Sequence, residues 1–334
     1  MTHVHHPVAT QDRATMAKIR EIAAPSKGVL ERAAFDTVIE HTQPADGVTY
    51  EAAIVGGVAG WWCKPLHQTP GAAILYLHGG AYILGTAKAY RNVVGQIARR
   101  VQRAAFIPDY ALAPEHPFPA AVKGAEAAYR GLLGQGFGDV VLVGDSAGGG
   151  LALVLASLMV AAKGRRQTLA PTRVAVMSPW TDLALTGTTI ESLADADPFL
   201  TKAALASAAN QYLGRHDPRD PNASPLYGNP EGLPPIRVDV GEDEILLDDA
   251  RRYWEGAVSA GSEVQLHTWE GMPHVFPTNV GTLQAADAAL DLRESHIFFH
   301  FPPFAYCVET VEADGDGFGS GRLIAVSVVT VPSA

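Results

Sequence analysis

Residues 144–148 read Gly-Asp-Ser-Ala-Gly, between an apolar run, Val140 to Val143, and a helical run, Leu151 to Ala162. A strand, a tight turn and a helix in that order lift the serine at the apex above the end of a sheet. The outer glycines are needed there because side chains would strike the neighbouring backbone. The bare pattern arises by chance in about one chain in ten of this length. Its weight therefore comes from the flanking elements and from whether Ser146 has partners elsewhere in the chain.

The surroundings predict an α/β fold with a mostly parallel central sheet flanked by helices. Short apolar strands are expected at Ala72–Leu77, Ala104–Pro108, Val140–Val143, Arg173–Ser178, Ile236–Val240 and Glu263–Trp269. Helical patterns near Ala87–Val101, Ala120–Leu133, Leu151–Ala162 and Asp248–Ala260 separate them. Alternation of this kind builds parallel sheets with right-handed crossovers, covered on both faces. Tyr50 to Lys64 alternates weakly, as antiparallel strands do, and residues 1–45 read as loosely amphipathic helix around Met16–Ile22 and Gly28–Ala34. Leu183 to Leu226 breaks the rhythm with two helical patches and no strand. An insertion at the carboxyl end of a strand lies where ligands of open α/β sheets bind, so it reads as a lid.

Composition narrows the function classes. Hydrophobic residues make up 47% of the 334, enough for a large core. A formal net charge of −10 disfavours nucleic acid and anionic membrane surfaces as partners. The longest apolar stretch, Ala147 to Ala162, falls short of the roughly 20 residues of a bilayer span, so no stable membrane insertion is expected. Cys63 and Cys307 form no metal or disulfide pattern and fit a reducing cytoplasm, and the N-terminus carries no apolar signal core. His3, His5 and His6 read as a mobile terminal segment rather than a chelating group. Neither a metal nor an organic cofactor is called for.

A serine hydroxyl needs a base to accept its proton, and the base needs an acid to orient it. On the α/β-hydrolase fold the chain order is serine, acid, histidine. After the strand ending at Val240 comes Gly241-Glu242-Asp243-Glu244-Ile245-Leu246, and after the strand ending near Trp269 comes Gly271-Met272-Pro273-His274-Val275-Phe276. Both loops emerge on the edge where Ser146 should sit, and among the twelve histidines only His274 has both the right order and the right loop. His78-Gly79-Gly80-Ala81 follows the strand Ala72–Leu77 directly. The N–H groups of Gly79, Gly80 and Ala81, with that of Ala147, are candidates to hold a substrate oxyanion. His78 is expected to brace this loop rather than to move protons.

These pieces resemble the hormone-sensitive-lipase-like esterases, the bacterial family-four branch of the α/β-hydrolase fold. The resemblance rests on His78-Gly79-Gly80, on Asp109-Tyr110 with Leu112 to Ala121, on Gly144 to Gly149, on Ser178-Pro179-Trp180-Thr181-Asp182-Leu183, on Ser224 to Gly228 and on the His274 loop. It runs from roughly residue 20 to 293. The family's pattern after the acid strand is Asp-Pro-Leu-x-Asp with the first Asp catalytic. Glu244-Ile245-Leu246-Leu247-Asp248 falls in that register. The resemblance thus favours Glu244 as the acid, with Asp243 the alternative. Asp248 and Asp249 read as acids suited to the positive end of a helix. The chain departs from the family at Ala81, usually a third glycine, where the N–H serves if the backbone avoids positive φ. It also departs at Ala111, usually an arginine, and at Gly150, often an asparagine. None of these removes a catalytic group.

The resemblance implies a carboxylesterase acting on short acyl esters, a small-molecule substrate, with a core of residues 46–183 and 226–295. Residues 1–45 and 184–225 would be its cap. It also implies a homodimer through the last sheet strand, Glu263–Trp269. A lactone hydrolase on the same side chains and a non-catalytic binding relative are the alternatives. Residues 296–334 match nothing in the family.

Overall fold

The carboxyl ends of two neighbouring strands point at one crevice because the chain changes direction across the sheet. A computed structural model describes residues 2–24, 27–28, 31–162 and 170–291. The tail of 296–334, with Cys307, and the end of the core segment at 292–295 lie outside the described residues. The elements run β1 (Thr2–His6), α1 (Thr10–Ala23), α2 (Arg32–Glu40), β2 (Val48–Val55), β3 (Val58–Pro65), β4 (Ala72–Leu77), α3 (Ala87–Val101) and β5 (Ala104–Pro108). They continue with α4 (Ala120–Gly134), β6 (Asp139–Asp145), α5 (Ser146–Ala162), β7 (Arg173–Met177), α6 (Thr189–Ser192) and α7 (Lys202–Leu213). The last are β8 (Ile236–Gly241), α8 (Leu247–Ser259), β9 (Val264–Trp269) and α9 (Gln284–Leu290).

The sheet has nine strands in the order β1-β9-β8-β7-β6-β4-β5-β3-β2. Only the β2–β3 and β3–β5 pairings are antiparallel. From β4 the chain steps to β5 on one side and then returns to β6 on the other. The reversal point of the topology therefore lies between the carboxyl ends of β4 and β6, where open α/β sheets place their ligands. Leu77 of β4 stands opposite Gly144 of β6, so the loops leaving the two strands, at His78 and at Ser146, begin side by side. Residues of β4 and β5 are buried throughout, as strands covered on both faces must be. The α5 helix is buried over most of its length, from Ser146 to Ala156. It packs against β6 and β7, and its first turn is thereby held rigidly beneath the crevice.

The expected strands and helices appear with shifted ends. β6 continues through Gly144 and Asp145, so the helix starts on Ser146 itself. The interruption after β7 holds α6 and α7 and no strand among the described residues. The amphipathic pattern at Gly28–Ala34 becomes a helix only from Arg32. Its register is tied to the core by Arg32, which donates to the Ile83 and Ala113 carbonyls, and by Phe35, whose ring lies 6.3 Å from that of Tyr90.

The largest departure is at the N-terminus. Thr2–His6 is not a mobile segment but a strand paired in parallel with β9 from Thr2↔Gln265 to His6↔Trp269. His6 stacks on Trp269 with ring centroids 3.7 Å apart, and its Nε2 lies 2.9 Å from Nδ1 of His267. These ring contacts replace the aliphatic alternation that ordinarily signals a strand. One consequence is that β9 is not the edge of the sheet. The strand through which the resemblance implied dimerisation is covered along Gln265–Trp269 by the chain's own β1. Among the described residues no helix is long and apolar enough to cross a membrane.

Candidate active site

Ser146 sits at φ +52°, a left-handed conformation that a non-glycine residue adopts at a cost of about 1–2 kcal/mol. The turn is built around the absence of two side chains. A Cβ on Gly148 would lie 2.0 Å from the Leu77 carbonyl oxygen, and one on Gly144 would lie 2.4 Å from the Gly148 oxygen. The strain and the close approach aim the serine Oγ across the crevice at the loops following β8 and β9.

The structure brings His274 to that point. Its Nε2 is 2.9 Å from Ser146 Oγ, and its Nδ1 is hydrogen-bonded to Glu244 Oε2. Ser146 and His274 are each 7% exposed and Glu244 is fully buried, so the relay lies in a low-dielectric setting where charge interactions are strong. Burial alone would lower the His274 pKa. The facing Glu244 carboxylate, helped by Asp197 and Asp145, outweighs it and holds the pKa above the ordinary imidazole value. Such an arrangement can draw a proton from the hydroxyl and hold the resulting imidazolium. Asp243 does not reach His274. Its carboxylate pairs with Arg20 of α1, at 2.5 Å.

Glu244 is itself oriented. Its Oε1 accepts from Ser178 Oγ at 2.8 Å and from the Gly241 N–H at 2.9 Å. Ser178 Oγ in turn accepts from the Val275 N–H at 3.0 Å, which ties the acid loop to the residue after His274. Asp197, in the insertion after β7, accepts from the Phe199 and Leu200 N–H groups and, through its other oxygen, from the Ile245 N–H. Sequence reading missed both roles. Ser178 stood within a quoted motif with no function attached, and Asp197 carried no signal beyond its place in the insertion.

The loop after β4 needs a correction. The Gly79 N–H donates to Asp145 Oδ1 at 2.9 Å and is therefore not available to a substrate oxygen. Gly80, Ala81 and Ala147 donate to no other group among the described residues, so these three N–H groups remain the candidates to hold an oxyanion. Ala81 has φ +53°, so the stated condition on its backbone is not met. Alanine tolerates this left-handed well, and the turn is closed by the Ile83 and Leu84 N–H groups donating to the Gly80 carbonyl, so the Ala81 N–H is kept.

Asp145, the residue before the serine, is the anchor of that loop. Besides Gly79 it accepts from Tyr76 at 2.9 Å and Tyr90 at 3.0 Å, and burial pushes its pKa up to about 6 despite these donors. His78 braces the same loop from the other side. Its Nδ1 donates to the Gly79 carbonyl at 2.7 Å, its ring stacks on Tyr110, and burial lowers its pKa to about 4. Asp248 and Asp249 do more than face a helix end. Asp248 accepts from Thr188, while Asp249 accepts from the Thr181 and Asp182 N–H groups. Burial, followed by the neighbouring Asp182 charge, pushes the Asp249 pKa up to about 8. Among the described residues no group of three or more His, Cys, Asp or Glu side chains is placed to hold a metal ion.

The sequence matches the family described as alpha/beta hydrolase fold over residues 74–278, more than half of the chain. An acetyl-hydrolase of Streptomyces hygroscopicus is 40% identical over 235 residues, covering 70% of this chain and 75% of that protein. Among solved structures, the esterase EstE5 soaked with p-nitrophenyl butyrate aligns with a TM-score of 0.75 at 36% identity, over 83% of this chain and 95% of its own. A hormone-sensitive lipase from a metagenome library aligns at 0.77 and 34% identity, over 84% and 95%. The geometry and these likenesses agree, and this chain belongs to the alpha/beta hydrolase family, on the branch of the hormone-sensitive-lipase-like carboxylic ester hydrolases.

Proposed function

We propose that this protein hydrolyses short-chain acyl esters through an acyl-enzyme, with Ser146 as nucleophile, His274 as general base and acid, and Glu244 as the orienting carboxylate. The observation that carries the reading is the 2.9 Å approach of His274 Nε2 to Ser146 Oγ, with the other ring nitrogen on Glu244. Ser146 Oγ attacks the ester carbonyl carbon as its proton passes to His274 Nε2. The carbonyl oxygen, now carrying the negative charge, accepts hydrogen bonds from the Gly80, Ala81 and Ala147 N–H groups. Each such donor contributes about 3 kcal/mol of barrier lowering in sites of this kind. Collapse of the tetrahedral intermediate expels the alcohol, which takes the proton back from His274. Water then repeats the sequence on the acyl-serine, with His274 again accepting and returning the proton.

A short acyl group is supported by the bulk around the helix that carries Ser146. Tyr82, beside the oxyanion loop, stacks on Tyr212 of α7 at 3.9 Å and 5°, and Trp180 stands 6.2 Å from Tyr82. On this reading these rings, all fully or nearly fully buried, limit the room left for an acyl chain. The insertion of 184–225, together with α1 and α2, would then form the cap over the pocket. The groups named for the relatives, an acetyl group and p-nitrophenyl butyrate, are of the same size class. The test is turnover of p-nitrophenyl esters from acetate to decanoate by the wild type and by Ser146→Ala. Turnover should peak at acetate to butyrate and vanish in the variant. A maximum at decanoate would refute the acyl preference, and activity retained in Ser146→Ala would refute the nucleophile.

A further inference from the structure

We infer that the N-terminal arm, β1 with α1, is a positioning element for His274, and that Asp12 is its main anchor. The inference rests on the reading of His274 as the base. His274 lies on the segment joining β9 to α9, and the arm grips that segment at both ends and in the middle. At the β9 end, β1 pairs with β9 and the Glu270 N–H donates to the His6 carbonyl at 2.9 Å, while Glu270 Oε2 accepts from the Val8 N–H. At the other end, α9 begins after Leu283, which offers no side-chain cap. The cap comes from the far end of the chain: Asp12, 1% exposed, accepts from the Gln284 N–H on Oδ1 and from the Ala285 N–H on Oδ2, each at 2.9 Å. Helix N-termini carry N–H groups that require such an acceptor, and burial makes an unpaired one costly. In the middle, Met16 and Ile19 pack into a small apolar cluster with Met272 and Phe276, the residues two before and two after His274. Arg20 completes the grip by pairing with Asp243, next to Glu244, and by donating to the Ala196 carbonyl.

Among the described residues none of these arm side chains hydrogen-bonds to Ser146, His274 or Glu244, so the effect is one of placement. A base held loosely loses alignment with the hydroxyl, and misplacement on the order of an ångström costs one to two orders of magnitude in rate. The experiment compares Asp12→Ala, Asp12→Asn and Arg20→Gln in the full chain with wild type on p-nitrophenyl acetate across pH. Asp12→Ala should lower kcat about tenfold with KM within about twofold. Asp12→Asn, which keeps one acceptor oxygen, should recover part of the loss, and Arg20→Gln should cost about threefold, as expected of a partly exposed pair. The acid limb of kcat/KM supplies a readout that a simple loss of folded protein would not move. The groups facing His274 are Glu244, Asp197 and Asp145, and loosening the ring from Glu244 lets its raised pKa fall, so the limb should shift to lower pH. A wild-type kcat, or a reduced amplitude with an unmoved limb, overturns the inference. Should Asp12→Ala not fold, the same two criteria apply to Asp12→Asn and Arg20→Gln. A wild type without esterase turnover would defeat the underlying reading and this inference with it, and is distinguished by appearing before any variant is made.

Discussion

Replacing Glu244 by glutamine keeps the shape of the side chain and reverses the logic of the relay. The two donors on Oε1, the Ser178 hydroxyl and the Gly241 N–H, require an oxygen at that position, because the Gly241 N–H cannot accept. The amide oxygen of the substituted side chain is therefore fixed there, and its NH2 group faces His274 Nδ1. That nitrogen must now accept, so the imidazole proton moves to Nε2 and points at Ser146 Oγ, 2.9 Å away. A base presenting a proton cannot take one, and the charge that would have held the imidazolium is also gone. The same tautomer reversal in a serine-protease relay costs about 10⁴ in kcat, roughly 5 kcal/mol of barrier. The assay is kcat on p-nitrophenyl acetate, with thermal unfolding to verify that the variant is folded. Asp243→Asn, which breaks only the partly exposed pair with Arg20, should cost a few-fold at most, in line with the ~0–1 kcal/mol of such pairs. A Glu244→Gln enzyme within tenfold of wild type, or an Asp243→Asn enzyme more impaired than it, would refute the argument.

Two further outcomes follow from the buried carboxylates. Asp145→Asn exchanges the charged anchor of the oxyanion loop for a neutral one with a single acceptor oxygen. Hydrogen bonds to charged groups exceed neutral ones by about 1–2 kcal/mol, so kcat should fall about tenfold with KM little changed. An unaltered kcat in steady-state assays would show that the loop needs no such anchor. Asp249 has a folded-state pKa raised to about 8 against about 3.9 for an unfolded aspartate, so between those values the folded protein holds a proton that the unfolded chain has released. Wild-type stability contributed by this group is full below the lower value and is lost as pH rises through the upper one. Asp249→Asn, which stays neutral, should therefore gain in Tm relative to wild type as pH goes from 5 to 8. A Tm difference independent of pH across that range would contradict the assignment.

Much of the site was legible because its signals are local. The glycines around Ser146 are dictated by backbone clashes, and the apolar strands β4 to β9 with intervening helices define which loops share an edge. His274 and the acidic loop could thus be placed from chain order, although the choice of Glu244 over Asp243 needed the family register. What escaped was non-local. β1 has one aliphatic residue, Val4, and is held by the His6 imidazole stacked on His267 and Trp269 of β9, a pairing without a hydrophobic period. The α9 helix has leucine at its N-cap position because Asp12 caps it from another element. Gly79 reads like its neighbour Gly80 in sequence, yet its N–H belongs to Asp145. The conformation of Ala81 likewise follows from the turn closed by Ile83 and Leu84 rather than from alanine's own preference.

The central claim is that His274 activates Ser146. Incubation with a p-nitrophenyl alkylphosphonate, followed by intact and peptide mass analysis, reads this directly. One adduct per chain, on Ser146, with labelling slowed by orders of magnitude in His274→Ala, is the predicted result. An unlabelled wild type, or an adduct formed on Ser146 at the same rate without His274, would contradict it.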